Sequence, residues 1–121
     1  MADAPITIYH NARCSKSRSA CELVAEKGLQ ATIIEYLKTP PNKEELRGLL
    51  RKLGMKPSEL VRRTEDVFKD RYAGKNLNDE EWLEALVENP VLIERPIVVR
   101  GNKAVIGRPP EKVLELIADE A

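Results

Sequence analysis

APITIYHNARCSKSRSACELVAEKGLQATIIEY, residues 4–36, decides the fold. Residues 4–9 put Ile6 and Ile8 on one side of an extended segment, with Pro5 near its start, where a strand tolerates proline. Residues 15–27 carry Ala20, Leu23, Val24 and Lys27 along one helical stripe, and Gly28 supplies a C-terminal stop. Residues 31–36 are rich in β-branched side chains and predict a second strand. Strand, helix and strand in about thirty residues make a βαβ unit, whose two strands run parallel.

Beyond this unit, Pro40-Pro41 breaks the chain, and Asn42 with Glu45 has capping-box spacing. Leu46, Leu49, Leu50 and Leu53 then follow the i, i+3, i+4, i+7 rule of an amphipathic helix that Gly54 ends. Residues 57–62 and 64–72 read as two short helical pieces. Asn78 and Glu81 repeat the capping spacing ahead of a helix with Trp82, Leu83, Leu86 and Val87 on its apolar face, stopped before Pro90. Ile97–Arg100, Gly101-Asn102 and Lys103–Ile106 form a strand, a two-residue turn and a strand. A last helix presents Val113, Leu114 and Ile117. The expected fold class is α/β: a four-stranded mixed sheet in the order β-α-β, helical insertion, β-β-α. A chain of 121 residues is one domain on ordinary domain sizes, 1–121, with the insertion at about 42–90.

Composition removes several functions. Lys+Arg and Asp+Glu both number 20, so the net charge is zero, which argues against a nucleic-acid or membrane-surface binder. Aromatic residues are 4%, too few for base-stacking platforms. No apolar run approaches the ~18 residues of a membrane span, and the start lacks the basic-then-apolar plan of a secretory signal. One histidine and two cysteines cannot fill a zinc site, so no metal is expected. Two cysteines without a signal suggest a reducing compartment, the cytoplasm.

Chemistry concentrates in His10-Asn11-Ala12-Arg13-Cys14-Ser15-Lys16-Ser17-Arg18, which joins the first strand to the first helix. Cys14 lies near the helix N-terminus, where free N–H groups favour an anion. Arg13, Lys16, Arg18 and His10 add positive charge, so the thiol is expected below its ordinary pKa and nucleophilic at neutral pH. The competing reading is a packed cysteine, but a loop corner among basic residues is a poor place for one. Cys21, seven residues on, lies about 10.5 Å along the same helix. Disulfides need Cα atoms within about 7 Å, so the pair cannot close and Cys21 reads as packing. A C-x-x-C dithiol fails because the position is Ser17, and a low-molecular-weight phosphatase loop fails because the sixth residue after Cys14 is Ala20. A single thiolate remains, and a monothiol redox cycle needs an external reductant.

Arginines supply the second clue. Arg47, Arg51 and Arg71 read as solvated. Arg95 and Arg108 bracket the hairpin, at one end of the sheet. If the first strand is antiparallel to the third, Cys14 lies at that same end. Guanidinium forks beside a thiolate would make an oxyanion site.

Four stretches, in order over nearly the whole chain, carry a family likeness: Asn11-x-x-Cys14-x-x-x-Arg18, Leu60-Val61-Arg62-Arg63, Glu94-Arg95-Pro96-Ile97-Val98-Val99 and Gly107-Arg108-Pro109-Pro110. Together they resemble the glutaredoxin-linked arsenate reductase family, in its shorter, chromosomal branch, with Ala12 where many members have proline. The resemblance implies a thioredoxin-like fold with a helical insertion. It implies Cys14 as nucleophile, assisted by His10 and Arg18. Arg62, Arg95 and Arg108 would bind the arsenic oxyanion, with Ser15 and Ser17 as further substrate-binding candidates, and Pro96 would match a cis-proline. It implies arsenate as substrate, glutathione as co-substrate, glutaredoxin as partner, no bound cofactor and a monomer. Two other classes stay open: a thioredoxin-like regulator of RNA polymerase, whose relatives often carry C-x-x-C, and a general glutathione-dependent thiol oxidoreductase.

Overall fold

The computed structural model describes residues 5–117, and of Ile117 the backbone only. The predicted residues Ala4 and those after Ile117 lie outside that range. The chain forms two compact units: one takes in the described residues up to Thr39 and from Arg95 on, the other is Pro40–Glu94.

The first unit holds the sheet. Strand β1 is Ile6–His10, helix α1 Ser15–Glu26 and strand β2 Ala31–Glu35. β1 and β2 are parallel, with Ile8 opposite Ile33. α1 ends where Gly28 takes φ 72°, and the N–H groups of Gly28 and Leu29 cap the carbonyls of Ala25 and Val24. Only glycine adopts that left-handed geometry without the Cβ penalty of roughly 1–2 kcal/mol. Strands β3 (Ile97–Arg100) and β4 (Lys103–Ile106) are the expected hairpin, and Gly101, at φ 61°, turns its corner. The sheet order is β2-β1-β3-β4, with β3 antiparallel to both neighbours. This is the mixed, thioredoxin-like sheet expected from the sequence.

Ile6, Ile8 and Val98 on one sheet face pack with Ala20 and Val24 of α1 and with Val113 and Leu116. The last two come from a segment that departs from the reading of a single final helix. A 3-10 turn, Pro110–Val113, leads into α5, Leu114–Ile117. The tighter winding shifts the apolar phase, so Val113 and Leu116 are buried while Leu114 is only half-buried. The expected Ile117 contact lies outside the described side chains.

The second unit is helical. Helices α2 (Lys43–Leu53) and α4 (Asp79–Glu88) both open with the capping boxes predicted at Asn42/Glu45 and Asn78/Glu81. Leu46, Leu49 and Leu50 of α2, and Trp82, Leu83, Ala85 and Leu86 of α4, are buried. Trp82 stacks on Phe68 of α3 (Asp66–Arg71), with ring centroids 6.1 Å apart, and Arg63 covers both rings. Arg47, read as solvated, bridges α2 to α4 through Glu80, which Lys43 also meets. These half-exposed pairs contribute little stability. Residues 57–62 are not one helical piece. A 3-10 turn covers Pro57–Leu60, and Val61 then bridges Ile93 in antiparallel fashion. Arg62 N–H donates to Leu92 O and Glu94 N–H to Leu60 O, which holds Val61 and Arg62 extended.

Candidate active site

The turn between β1 and α1 is built by hydrogen bonds that its own residues make. Cys14 N–H donates to Asn11 O, and Arg13 N–H to the Asn11 side-chain oxygen. Asn11 N–H in turn donates to Ser17 Oγ at 3.0 Å. Ser17 is fully buried. Arg18 donates to Ala12 O at 2.8 Å and closes the turn from outside. Cys14 is thereby fixed as the N-cap of α1, in extended geometry and with no side-chain cap of its own. The N–H groups of the first helical turn are left facing its sulfur.

Burial pushes the Cys14 thiol up, but hydrogen bonds from Ser17 N–H, the Arg95 guanidinium and Lys16 N–H, with the charge of Arg95, pull it below the ordinary value. Arg108 Nη1 stands 3.7 Å from the sulfur and 3.5 Å from Arg95 O. Sheet register explains the meeting. Tyr9 is opposite Ile97 and Ile97 opposite Ile106, so the end of β1, the start of β3 and the end of β4 share one edge. Arg95–Pro96 and Arg108–Pro109 are both cis peptides. Gly107 permits the close approach between them: its N–H donates to Pro96 O, and a Cβ there would lie 3.0 Å from Pro96 Cγ and 3.3 Å from Val113 Cγ2. A thiolate ringed by helix N–H groups and two guanidinium groups can attack a tetrahedral oxyanion whose oxygens the arginines hold.

The remaining expected residues fall in different places. His10 Nδ1 is hydrogen-bonded to Ser17 Oγ at 2.6 Å, with Cys21 Sγ at 3.6 Å. Burial lowers the His10 pKa against the pull of Glu35. The ring touches Ser17, whose hydroxyl supports the turn that carries the thiol. The side chains of Arg13 and Lys16, expected to help ionise the thiol, are exposed and are not among the groups that shift it. Ser15 is exposed at the first position of α1. Arg62 belongs to the helical unit, where its Nε is 3.3 Å from Glu65 and its Nη1 3.3 Å from Glu94. Cys14 and Cys21 are both free thiols. Burial, then Glu22, pushes Cys21 up.

Two contributors stood in the sequence motifs without an assigned role. Asn11 organises the turn, and its signal was an asparagine between a strand and a helix. Gly107 had the signal of a glycine directly before Arg108-Pro109-Pro110. Among the described residues no group of three or more His, Cys, Asp or Glu could hold a metal ion. No helix among them is long and apolar enough to cross a membrane.

Comparison with known proteins agrees with this geometry. The sequence model of the ArsC family matches residues 9–116. The uncharacterized Escherichia coli K12 protein YfgD is 48% identical over 114 residues, covering 93% of this chain and 96% of that one. The arsenate reductase of Haemophilus influenzae is 42% identical over 117 residues, covering 93% and 98%. The solved arsenate reductase from Vibrio cholerae superposes with a TM-score of 0.88 at 42% identity, over 93% of this chain and 97% of that one. With the match running from the end of β1 into α5 and taking in Cys14, Arg95 and Arg108 alike, this chain belongs to the ArsC family.

Proposed function

We propose that this protein reduces arsenate to arsenite through Cys14, using glutathione and glutaredoxin as reductants. The observation that carries the reading is the Cys14 sulfur, hydrogen-bonded by helix N–H groups and Arg95 and approached by Arg108. The Cys14 thiolate attacks arsenic and expels hydroxide, forming an S–As(V) bond. Soft sulfur suits arsenic, and the guanidinium groups neutralise the charge on the oxygens. A glutathione thiolate then attacks the Cys14 sulfur. The S–As electron pair passes to arsenic, which leaves as arsenite, and Cys14 is left in a mixed disulfide with glutathione. A glutaredoxin thiol takes the glutathione and frees Cys14. The electrons come from thiols, so the cycle calls for no bound prosthetic group, and a monomer in the reducing cytoplasm suits it.

The test is NADPH oxidation coupled through glutathione reductase, with glutathione, glutaredoxin and arsenate. Arsenate-dependent oxidation is expected, with phosphate competing and not being reduced. Absence of arsenate-dependent oxidation with and without each thiol component would overturn the reading.

A further inference from the structure

The cations near Cys14 fall into two sets. Arg95 and Arg108 reach the sulfur, and Arg18 is engaged by Ala12 O. Arg13 and Lys16 flank the thiol in sequence, are exposed, and among the described residues their side chains form no hydrogen bond or ion pair. Residues 10–21 contain no carboxylate, and the first turn of α1 has none. The reaction gives Arg13 and Lys16 a task. Once an oxyanion is bonded to Cys14, Arg95 and Arg108 are occupied by its oxygens, and the adduct is itself anionic. A second thiol that carries carboxylates would be repelled unless other cations met it.

We propose that Arg13 and Lys16 recruit the second thiol of the cycle, a small thiol bearing carboxylates, the chemical class of glutathione. The proposal rests on Cys14 being the reactive thiol and adds which residues select its partner.

Thiol–disulfide exchange tests it without arsenate. The Cys14 thiolate attacks one sulfur of a disulfide, the S–S bond breaks, a mixed disulfide forms on Cys14, and the other half leaves as a thiolate. The cysteine sulfur is oxidised and the leaving sulfur reduced, so the step balances. The probes are oxidised glutathione (anionic), 2-hydroxyethyl disulfide (neutral) and cystamine (cationic), with peptide mapping to confirm labelling at Cys14. In the double variant Arg13→Gln/Lys16→Gln, the rate ratio of anionic to neutral probe should fall about five- to thirtyfold at low ionic strength, as expected for removing two nearby charges. The neutral probe should stay within about twofold, the cationic probe should gain on it, and salt should bring the native protein's ratio toward the variant's. The double variant Arg13→Lys/Lys16→Arg should keep the native ratio. An anionic-to-neutral ratio unchanged by the glutamine variant overturns the proposal. If the neutral probe labels Cys21 in preference to Cys14 in the native protein, the reactive-thiol reading itself falls and takes the recruitment site with it.

Discussion

At the start of α1 the Cys14 sulfur meets two backbone N–H groups and two guanidinium groups, and its pKa goes down. Seven residues later Cys21 packs against the sheet core beside the His10 ring, and its pKa goes up. The residue type and the helix are the same. What differs is that Cys14 caps the helix N-terminus while Cys21 lies mid-helix, and which neighbours each thiol meets. The first helical turn has unpaired N–H groups to offer a negative sulfur, and the next turns have none. Reactivity here is a property of position, which makes the pair a built-in control.

The widest separation should come from removing each sulfur. Cys14→Ser should lower arsenate turnover by roughly a thousandfold or more, as loss of a nucleophile does, while Cys21→Ser should keep most activity in the coupled assay. Comparable losses in both variants would end the distinction. Next come the guanidinium groups that only Cys14 meets. Arg95→Ala or Arg108→Ala removes charge-assisted hydrogen bonds worth about 1.5–3 kcal/mol, so kcat/KM for arsenate should fall roughly 10–150-fold. Lysine should rescue in part, because it keeps the charge and loses the fork. Arg71→Ala, on the exposed face of α3, should change neither rate nor melting temperature, which steady-state kinetics with thermal melts would check.

The pH dependence sharpens the contrast further. Only the thiolate is alkylated, so each rate rises with pH and levels off above that thiol's pKa. Iodoacetamide labelling followed by peptide mapping should give Cys14 a midpoint below that of an ordinary thiol and Cys21 one above it. The smallest effect concerns the packing that brings Arg108 to the sulfur. Gly107→Ala places a methyl 3.0 Å from Pro96 Cγ, an overpacking that costs about 1–3 kcal/mol. Gly48→Ala meets nothing closer than the tip of Arg51 at 4.0 Å and, inside a helix, should gain about 0.5–1 kcal/mol. Thermal melts of the two should move in opposite directions.

Features written in consecutive residues were legible from sequence. The βαβ opening, both capping boxes, the hairpin and the place of Cys14 at a helix start each follow from local spacing. Pairings of single residues far apart were not. The Val61–Ile93 bridge joins segments with no repeating pattern to announce it. The arginines divide the same way: the hairpin reading put Arg95 at the sheet edge that carries Cys14, whereas nothing in the sequence announced that Arg62 meets Glu94. The two N–H groups on the sulfur are backbone and carry no residue-type signal at all.

The sheet has a consequence for the order in which the molecule is made. β1 pairs with β3, and all of Pro40–Glu94 is synthesised between them. At 5–20 residues per second, β1 waits roughly 4–18 s on the ribosome for its antiparallel neighbour. During that interval the helical unit, whose contacts close within one continuous stretch of chain, has everything it needs. The sheet, and with it the arginine pair that faces Cys14, is completed last, so the nascent chain carries its nucleophile long before it carries the groups that tame the charge of what that nucleophile attacks.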